Sequence, residues 1–254
     1  MALGRPGTVA ALGTAQTLAW ASTYYLPAML AAPMAKDLGV STPTVFAAFS
    51  LALIVSALLG PKAGAAIDRL GGRPVLMGTS LVFAAGLAAL GMAQGPVSLF
   101  AAWVVLGIGM GSGLYEAAFA ALVCLYGKDS RTTITGITLI AGFASTVGWP
   151  LSTFLEAQLG WRGACFVWAG LHLVLGLPLN AMLPKAQPSE ETPTAETPNH
   201  ALAPEPASSM RAMLALSFVF AATWFISTAM AAHLPRLLQA AGVSLAGAVL
   251  VGAL

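Results

Sequence analysis

Long apolar runs alternate with short polar interruptions along most of this chain. A helix needs about 20 apolar residues to cross the hydrocarbon core of a bilayer, and several successive runs meet that length. The pattern predicts helix 1 from about Thr8 to Ala35, ended by Lys36-Asp37 and Gly39. Thr42-Pro43 offers a cap and a first-turn proline for helix 2, which continues to about Ala63. A dense charged stretch follows, and Pro74 opens helix 3, which lasts to Ala93. Gln94-Gly95-Pro96 is a short uncharged turn before helix 4, Val97 to about Tyr126. Gly127-Lys128-Asp129-Ser130-Arg131 leads into helix 5, reaching about Glu156, and Leu159-Gly160-Trp161-Arg162 turns into helix 6, ending at Pro184.

From Pro184 to Met210 the pattern breaks off. Six prolines and four glutamates among Ser, Thr and Ala leave little to bury, so a disordered polar linker is expected. Helix 7 is expected from about Arg211 to Ala232, and Val243 to Leu254 reads as the opening of an eighth helix, too short to cross. The expected organisation is a six-helix bundle (1–183), a linker (184–210) and the start of a second bundle (211–254), as in a truncated product. Composition agrees: 58% of the 254 residues are hydrophobic and 8% charged, against roughly a quarter charged in soluble domains. The fold class is therefore an all-α, polytopic membrane protein whose surroundings are the lipid bilayer. Arg5 and the run after it resemble a signal peptide, but the run continues too long and reads as a retained first helix.

Net charge is only +2 and the basic residues are dispersed, so no nucleic-acid partner is expected. Their distribution instead sets topology. With the amino terminus inside, Arg5, Lys62, Arg69, Arg73, Lys128, Arg131, Lys185 and Arg211 are cytoplasmic, and Lys36, Arg162 and Arg236 are outside. Cys124 and Cys165 sit in apolar runs and suggest no disulfide framework.

Polar residues at helical spacing mark candidate chemistry. On helix 1, Gly13, Gln16, Thr17, Trp20, Thr23, Tyr24 and Pro27 form a stripe. On helix 5, Arg131, Thr135, Thr138, Gly142, Ser145, Trp149, Ser152 and Glu156 fall within about 60° of one another at about 100° per residue. Such stripes face protein or water rather than lipid. Two readings stand: hydroxyls bonded to their own backbone, or two walls of a shared aqueous path. Gly107, Gly109, Gly111 and Gly113 on helix 4 make two small-residue registers on nearly opposite faces, so two neighbours can approach closely.

Glu116, on the face of Gly109, Gly113 and Ala120, is the carboxylate well inside a predicted span. An ionised carboxylate there must be protonated, paired or facing water, which suits either a proton-coupling group or a structural hydrogen bond. His172, near the middle of helix 6, is a second candidate for proton coupling or a satisfied polar residue. No Walker-type, His-Glu-x-x-His or nucleophile-elbow motif occurs, and no metal-ligand spacing, so neither an enzyme nor a cofactor is expected. A faint repeat pairs Trp20, Tyr24, Pro33 and Gly39-Val40-Ser41 with Trp224, Thr228, Pro235 and Gly242-Val243-Ser244.

The charged stretch Gly64-x-x-x-Asp68-Arg69-x-Gly71-x-Arg73 resembles the signature loop of the major facilitator superfamily in position, spacing and residue types. Gly72 departs from it, since the family usually has a second adjacent basic residue there. The resemblance implies two six-helix bundles rocking around a central site, with Gly64, Asp68, Arg69, Gly71 and Arg73 forming a cytoplasmic latch. Trp103 stands where drug and sugar members usually have an arginine. Gly148-Trp149-Pro150 only approximates the antiporter signature. Tyr126-x-Lys128-x-x-Arg131 with Gly136, and Gly160-Trp161-Arg162, loosely resemble the monocarboxylate-porter branch.

The resemblance implies a secondary transporter in a plasma membrane, bacterial inner membrane by analogy, moving a small solute by alternating access with protons or by exchange. An organic anion is one candidate solute. A drug or metabolite efflux porter of the same superfamily, a non-transporting receptor or assembly factor, and a channel are the alternatives. The expected path is lined by Gln16, Trp20, Tyr24, Glu116, Thr138 and Ser145. Oligomeric state is open at this stage.

Overall fold

The computed structural model describes residues 3–185 and 207–253, so most of the expected linker lies outside the described residues. Span 1 is not continuous. It consists of α1 (Arg5–Ser22) and α2 (Leu26–Leu38), parted at Thr23 (φ −123°, ψ −69°). Pro27 favours the break there, because it has no N–H for the carbonyl of Thr23. Gly39, in the left-handed region at φ 65°, ends α2.

Span 2 is α3 (Thr42–Leu70), whose N-cap is Ser41, its side chain accepting from Thr44 N–H, rather than Thr42. The charged stretch was expected to be a turn. Instead α3 continues through Asp68 and Arg69, and Gly71 alone (φ 84°) joins it to α4 (Gly72–Gly91), which is span 3. A residue free to adopt positive φ makes a one-residue reversal possible.

Span 4 divides into α5 (Pro96–Gly113) and α6 (Tyr115–Tyr126) at Leu114, which is extended (φ −85°, ψ −162°). Four glycines before it weaken the helix by about 1 kcal/mol each relative to alanine. Span 5 begins with α7 (Ser130–Ala141), passes a tight turn at Gly142-Phe143, and enters α8 (Ala144–Leu171). α8 is two helical segments parted at Gly160, whose backbone is not helical (φ 71°, ψ 170°), and the chain reverses there. The proof is a hydrogen bond of 3.1 Å from Trp168 Nε1 to Ser152 Oγ, residues that a straight helix would hold about 24 Å apart. Span 6 therefore comprises the second part of α8, a π-helical segment His172–Gly176, and α9 (Leu177–Ala181). Then come α10 (Ala207–Ala240), which extends beyond the expected helix 7 at both ends, and α11 (Leu245–Ala253).

The glycine registers of α5 pack as their spacing requires. A Cβ on Gly107 would stand 2.6 Å from Ala52 O, and one on Gly111 2.7 Å from Ser56 O, both on α3. On the other face a Cβ at Gly109 would meet Phe83 of α4 at 2.7 Å. Spans 2 and 3 thus clasp span 4 from two sides.

The two ends of the bundle are tied separately. At the amino-terminal end, Leu12, Ile67, Leu76, Leu122, Ile137 and Leu183 share one apolar cluster, and Arg5 pairs with Asp129 at 2.9 Å. At the opposite end, Arg162 reaches Asp37 at 2.9 Å and donates to Gly91 O at 2.8 Å and Ala93 O at 2.6 Å, while Trp161 Nε1 donates to Asp37 Oδ2 at 3.1 Å. That one guanidinium joins the 1–2, 3–4 and 5–6 connections, so the six spans alternate in direction. Thr42–Leu70, Gly72–Gly91 and Met210–Ala240 are each long and apolar enough to cross a membrane by length and composition.

Candidate functional site

The breaks in spans 1, 4 and 5 meet. Trp20, Tyr24 and Tyr25 from the break in span 1, Tyr115 from span 4, and Ala141 and Gly142 from span 5 enclose a cavity of about 120 Å³. Trp224, Ser227 and Ala231 of α10 complete its wall. Ring centroids of Trp20 lie 4.9 Å from Tyr24 and 4.8 Å from Tyr115, in tilted contact. Tyr24 is in turn set edge-on to Phe49 at 5.7 Å, and its hydroxyl shares a hydrogen bond with Thr228 of α10. No Asp, Glu, Lys, Arg or His lines the cavity. Trp20 is buried, and its Nε1–H has no hydrogen-bond acceptor among the described residues. The chamber thus offers π faces and hydroxyls.

The sequence-derived path residues separate into groups. Trp20 and Tyr24 line this chamber. Gln16 and His172 do not. They are enclosed among spans 1, 3, 4 and 6, where Gln16 Nε2 donates to Gly113 O at 2.7 Å and His172 Nε2 meets Ser22 Oγ at 2.8 Å. The first of these bonds satisfies a carbonyl at the break in span 4.

Thr138 donates to the carbonyls of Ile134 and Thr135, both at 2.9 Å, which is the self-bonded reading of its stripe. Ser145 is half-buried beside the span 5 turn. The helix 5 stripe is divided by the turn at Gly142-Phe143. Arg131, Thr135 and Gly142 are exposed, while Trp149 and Ser152 face the interior.

Glu116 is exposed rather than buried. Its shared face with Gly109 and Gly113 assumed one continuous helix, and the extended Leu114 turns α6 away from that register. It lies in the first turn of α6, where a carboxylate is favoured by the positive end of the helix dipole. Tyr115, Tyr25 and Trp224 were missed. The tyrosine pair 24–25 just before Pro27 was the available signal for the first break.

In the signature stretch, Asp68 and Arg69 are exposed, Gly64 and Arg73 half-buried, and Gly71 buried. Among the described residues no ion pair or side-chain hydrogen bond engages Asp68, Arg69 or Arg73. Trp103, in place of the expected arginine, is fully buried against Phe49 at 5.3 Å.

The faint repeat has a structural counterpart. Gly39 (φ 65°) and Gly242 (φ 91°) are both left-handed. Val40 N–H donates to Ala35 O and Val243 N–H to Leu238 O, each at 3.0 Å. Ser41 Oγ accepts from Thr44 N–H at 3.3 Å and Ser244 Oγ from Gly247 N–H at 3.2 Å. Trp20 and Trp224 face one chamber, and Tyr24 bonds to Thr228.

Residues 12–254 match the family profile described as Major Facilitator Superfamily. The chain belongs to the major facilitator superfamily. It is an integral, multi-pass membrane protein of a family of transporters, and its described residues form part of a major-facilitator bundle. It is also 27% identical over 151 residues to the multidrug resistance protein MdtH of Aeromonas hydrophila subsp. hydrophila. That match covers 59% of this chain and 37% of the relative, so the shared part is little more than a third of MdtH.

Proposed function

We propose that this superfamily member is a secondary transporter that carries aromatic organic cations or neutral aromatic solutes by alternating access. The observation that carries the substrate class is the aromatic chamber at the meeting of three broken spans and α10, with no lysine or arginine on its wall. A cation held over Trp and Tyr faces gains about 0.5–2 kcal/mol per favourable contact, whereas a carboxylate solute would enter without a counter-charge. That favours the drug-efflux alternative over an organic anion, and the likeness to a multidrug resistance protein supports it. Broken spans at the bilayer midplane are a recurring way of building such sites.

Orientation follows from the eight basic residues at the amino-terminal end against three at the other, which puts the amino terminus in the cytoplasm. Toward the outer end α10 leans on the bundle, through Tyr24–Thr228 and through Phe46 against His233 at 4.7 Å. Met210 to Ala221 of α10 are exposed. In this scheme Gly64, Asp68, Arg69, Gly71 and Arg73 form the latch that engages when the cytoplasmic side closes. Glu116, accessible and adjacent to Tyr115, is the proton-coupling group in this scheme, and the enclosed His172 is not.

Uptake of labelled tetraphenylphosphonium into vesicles containing the protein is the test. It should saturate, show counterflow against unlabelled cation, and be competed by aromatic cations but not by small organic acids. Competition by the acids alone would overturn the substrate class. In the same vesicles Glu116→Gln should abolish pH-driven uptake while sparing counterflow. Unchanged pH-driven uptake would remove Glu116 from the mechanism.

A further inference from the structure

Separate from the aromatic chamber, a second cavity lies inside the bundle among spans 1, 3, 4 and 6. It is small, about 10 Å³, and its wall includes Gln16, Ser80, Phe83, His172, Gly176 and Asn180. Two amides point into it. Gln16 Nε2 donates to Gly113 O at 2.7 Å, and Asn180 Nδ2 donates to Leu76 O at 3.2 Å and Ser80 Oγ at 3.0 Å. Main-chain carbonyls accept only, so these bonds fix which end of each amide is nitrogen. They leave Gln16 Oε1 and Asn180 Oδ1 as acceptors with no donor among the described residues, on side chains of residues 2% and 7% exposed. An unsatisfied buried acceptor costs about 1–3 kcal/mol, and here two line one cavity.

Gly176 keeps that space open. A Cβ there would stand 3.3 Å from His172 Nδ1 and 3.6 Å from Ser80 Oγ. The π-helical turn His172–Gly176 brings both residues to the wall. Such turns often occur at functional positions.

We propose that this cavity binds one water molecule, whose two hydrogens go to Gln16 Oε1 and Asn180 Oδ1 and so bridge span 1 to span 6. The volume is about what a single water needs, and the site supplies the two or more polar partners that retain one. A bare cation fits less well, because no carboxylate lines the cavity to offset the cost of burying charge. Through Gln16 the water also steadies the carbonyl of Gly113 at the break in span 4, directly before Tyr115 of the aromatic chamber. The water site stands or falls independently of what that chamber carries.

The direct test is a map of the full chain at roughly 2 Å resolution. One peak should lie within about 2.7–3.2 Å of both oxygens, and a featureless cavity would overturn the proposal. Thermal melts in detergent provide a second test. Gln16→Leu and Asn180→Leu each lower the midpoint by several degrees, and the double variant loses less than the sum of the two, because each loses its own direct bonds but both remove the same water. Strictly additive losses would contradict a shared ligand. Gly176→Ala, which fills the cavity, should also lower the midpoint, whereas a rise would show that the space was dry. Sodium chloride and choline chloride at equal ionic strength should give the same midpoint. A saturable rise with sodium alone would make the occupant a cation and overturn the proposal.

Discussion

Replacing Gly111 with leucine should leave almost no protein that survives detergent extraction as a single species. The reason is what a side chain there would meet. A Cβ on Gly111 would be 2.7 Å from Ser56 O and 3.0 Å from Ser56 Cα. Both are backbone atoms of α3, so no rotamer change can yield. Span 4 must retreat from span 2 along the face where Gly107 makes the same approach to Ala52. Overpacking a core costs about 1–3 kcal/mol even where side chains can shift, and here a backbone-to-backbone approach of two helices is lost with it. Gly78 is the control. It is an exposed glycine on α4, and a Cβ there would meet nothing within 4 Å. Gly78→Leu should express and melt like the parent. Equal behaviour of the two variants, by yield and size-exclusion profile, would contradict the clasp of spans 2 and 3 on span 4.

Trp20→Ala should weaken binding of an aromatic cation about 100-fold. Trp20 touches both Tyr24 and Tyr115 and is the shared member of the chamber's aromatic wall. Losing one stacking contact and one cation–π contact, at about 1–1.5 kcal/mol each, amounts to about two factors of ten. Trp20 is also buried, and truncating such a residue costs about 3–5 kcal/mol of stability, so the alanine variant alone would confuse folding with binding. Trp20→Phe separates them. It keeps an aromatic ring while trimming the two-ring indole to one ring and removing an N–H that has no acceptor among the described residues. It should restore the folded yield and bind about tenfold more weakly than the parent. Isothermal titration with tetraphenylphosphonium measures both. Binding by the folded phenylalanine variant equal to that of the alanine variant would remove aromatic contact as the cause.

The spans and the family were legible in the sequence because they depend on local rules. Apolar run length gives crossings, Gly95-Pro96 and Thr42-Pro43 give helix starts to within a residue, and the signature stretch needs only its own residues. The glycine registers of span 4 were legible for the same reason, since 3.6-residue periodicity alone puts Gly107 and Gly111 on one face and Gly109 and Gly113 on another. What did not show was where that periodicity fails. Glu116 was placed on the face of Gly113 by continuing a helix that stops at Leu114, and the helix 5 stripe was drawn across Gly142-Phe143 in the same way. These breaks are held by tertiary contacts, as in the bond from Gln16 to Gly113 O, and a single span does not contain its neighbour's side chains. Asn180 was overlooked because one asparagine near the end of span 6 has no periodic partner. Its partners are Leu76 and Ser80, about 100 residues earlier. Trp20 and Tyr24 flank the break in span 1 and both line the chamber.

The central claim is that α10 rocks against spans 1 and 2 around the aromatic chamber, and distances between spin labels measure this directly. On a Cys124→Ser background, which removes the exposed native thiol, one label pair at Ala47→Cys and Gln239→Cys reports the outer side. A second pair at Leu70→Cys and Met213→Cys reports the inner side. All four positions are exposed. Adding an aromatic cation should give two populations in each pair, with the outer distance lengthening in the state where the inner one shortens. Distances that stay single and fixed while the solute is transported, or that lengthen together at both ends as in a channel, would contradict alternating access.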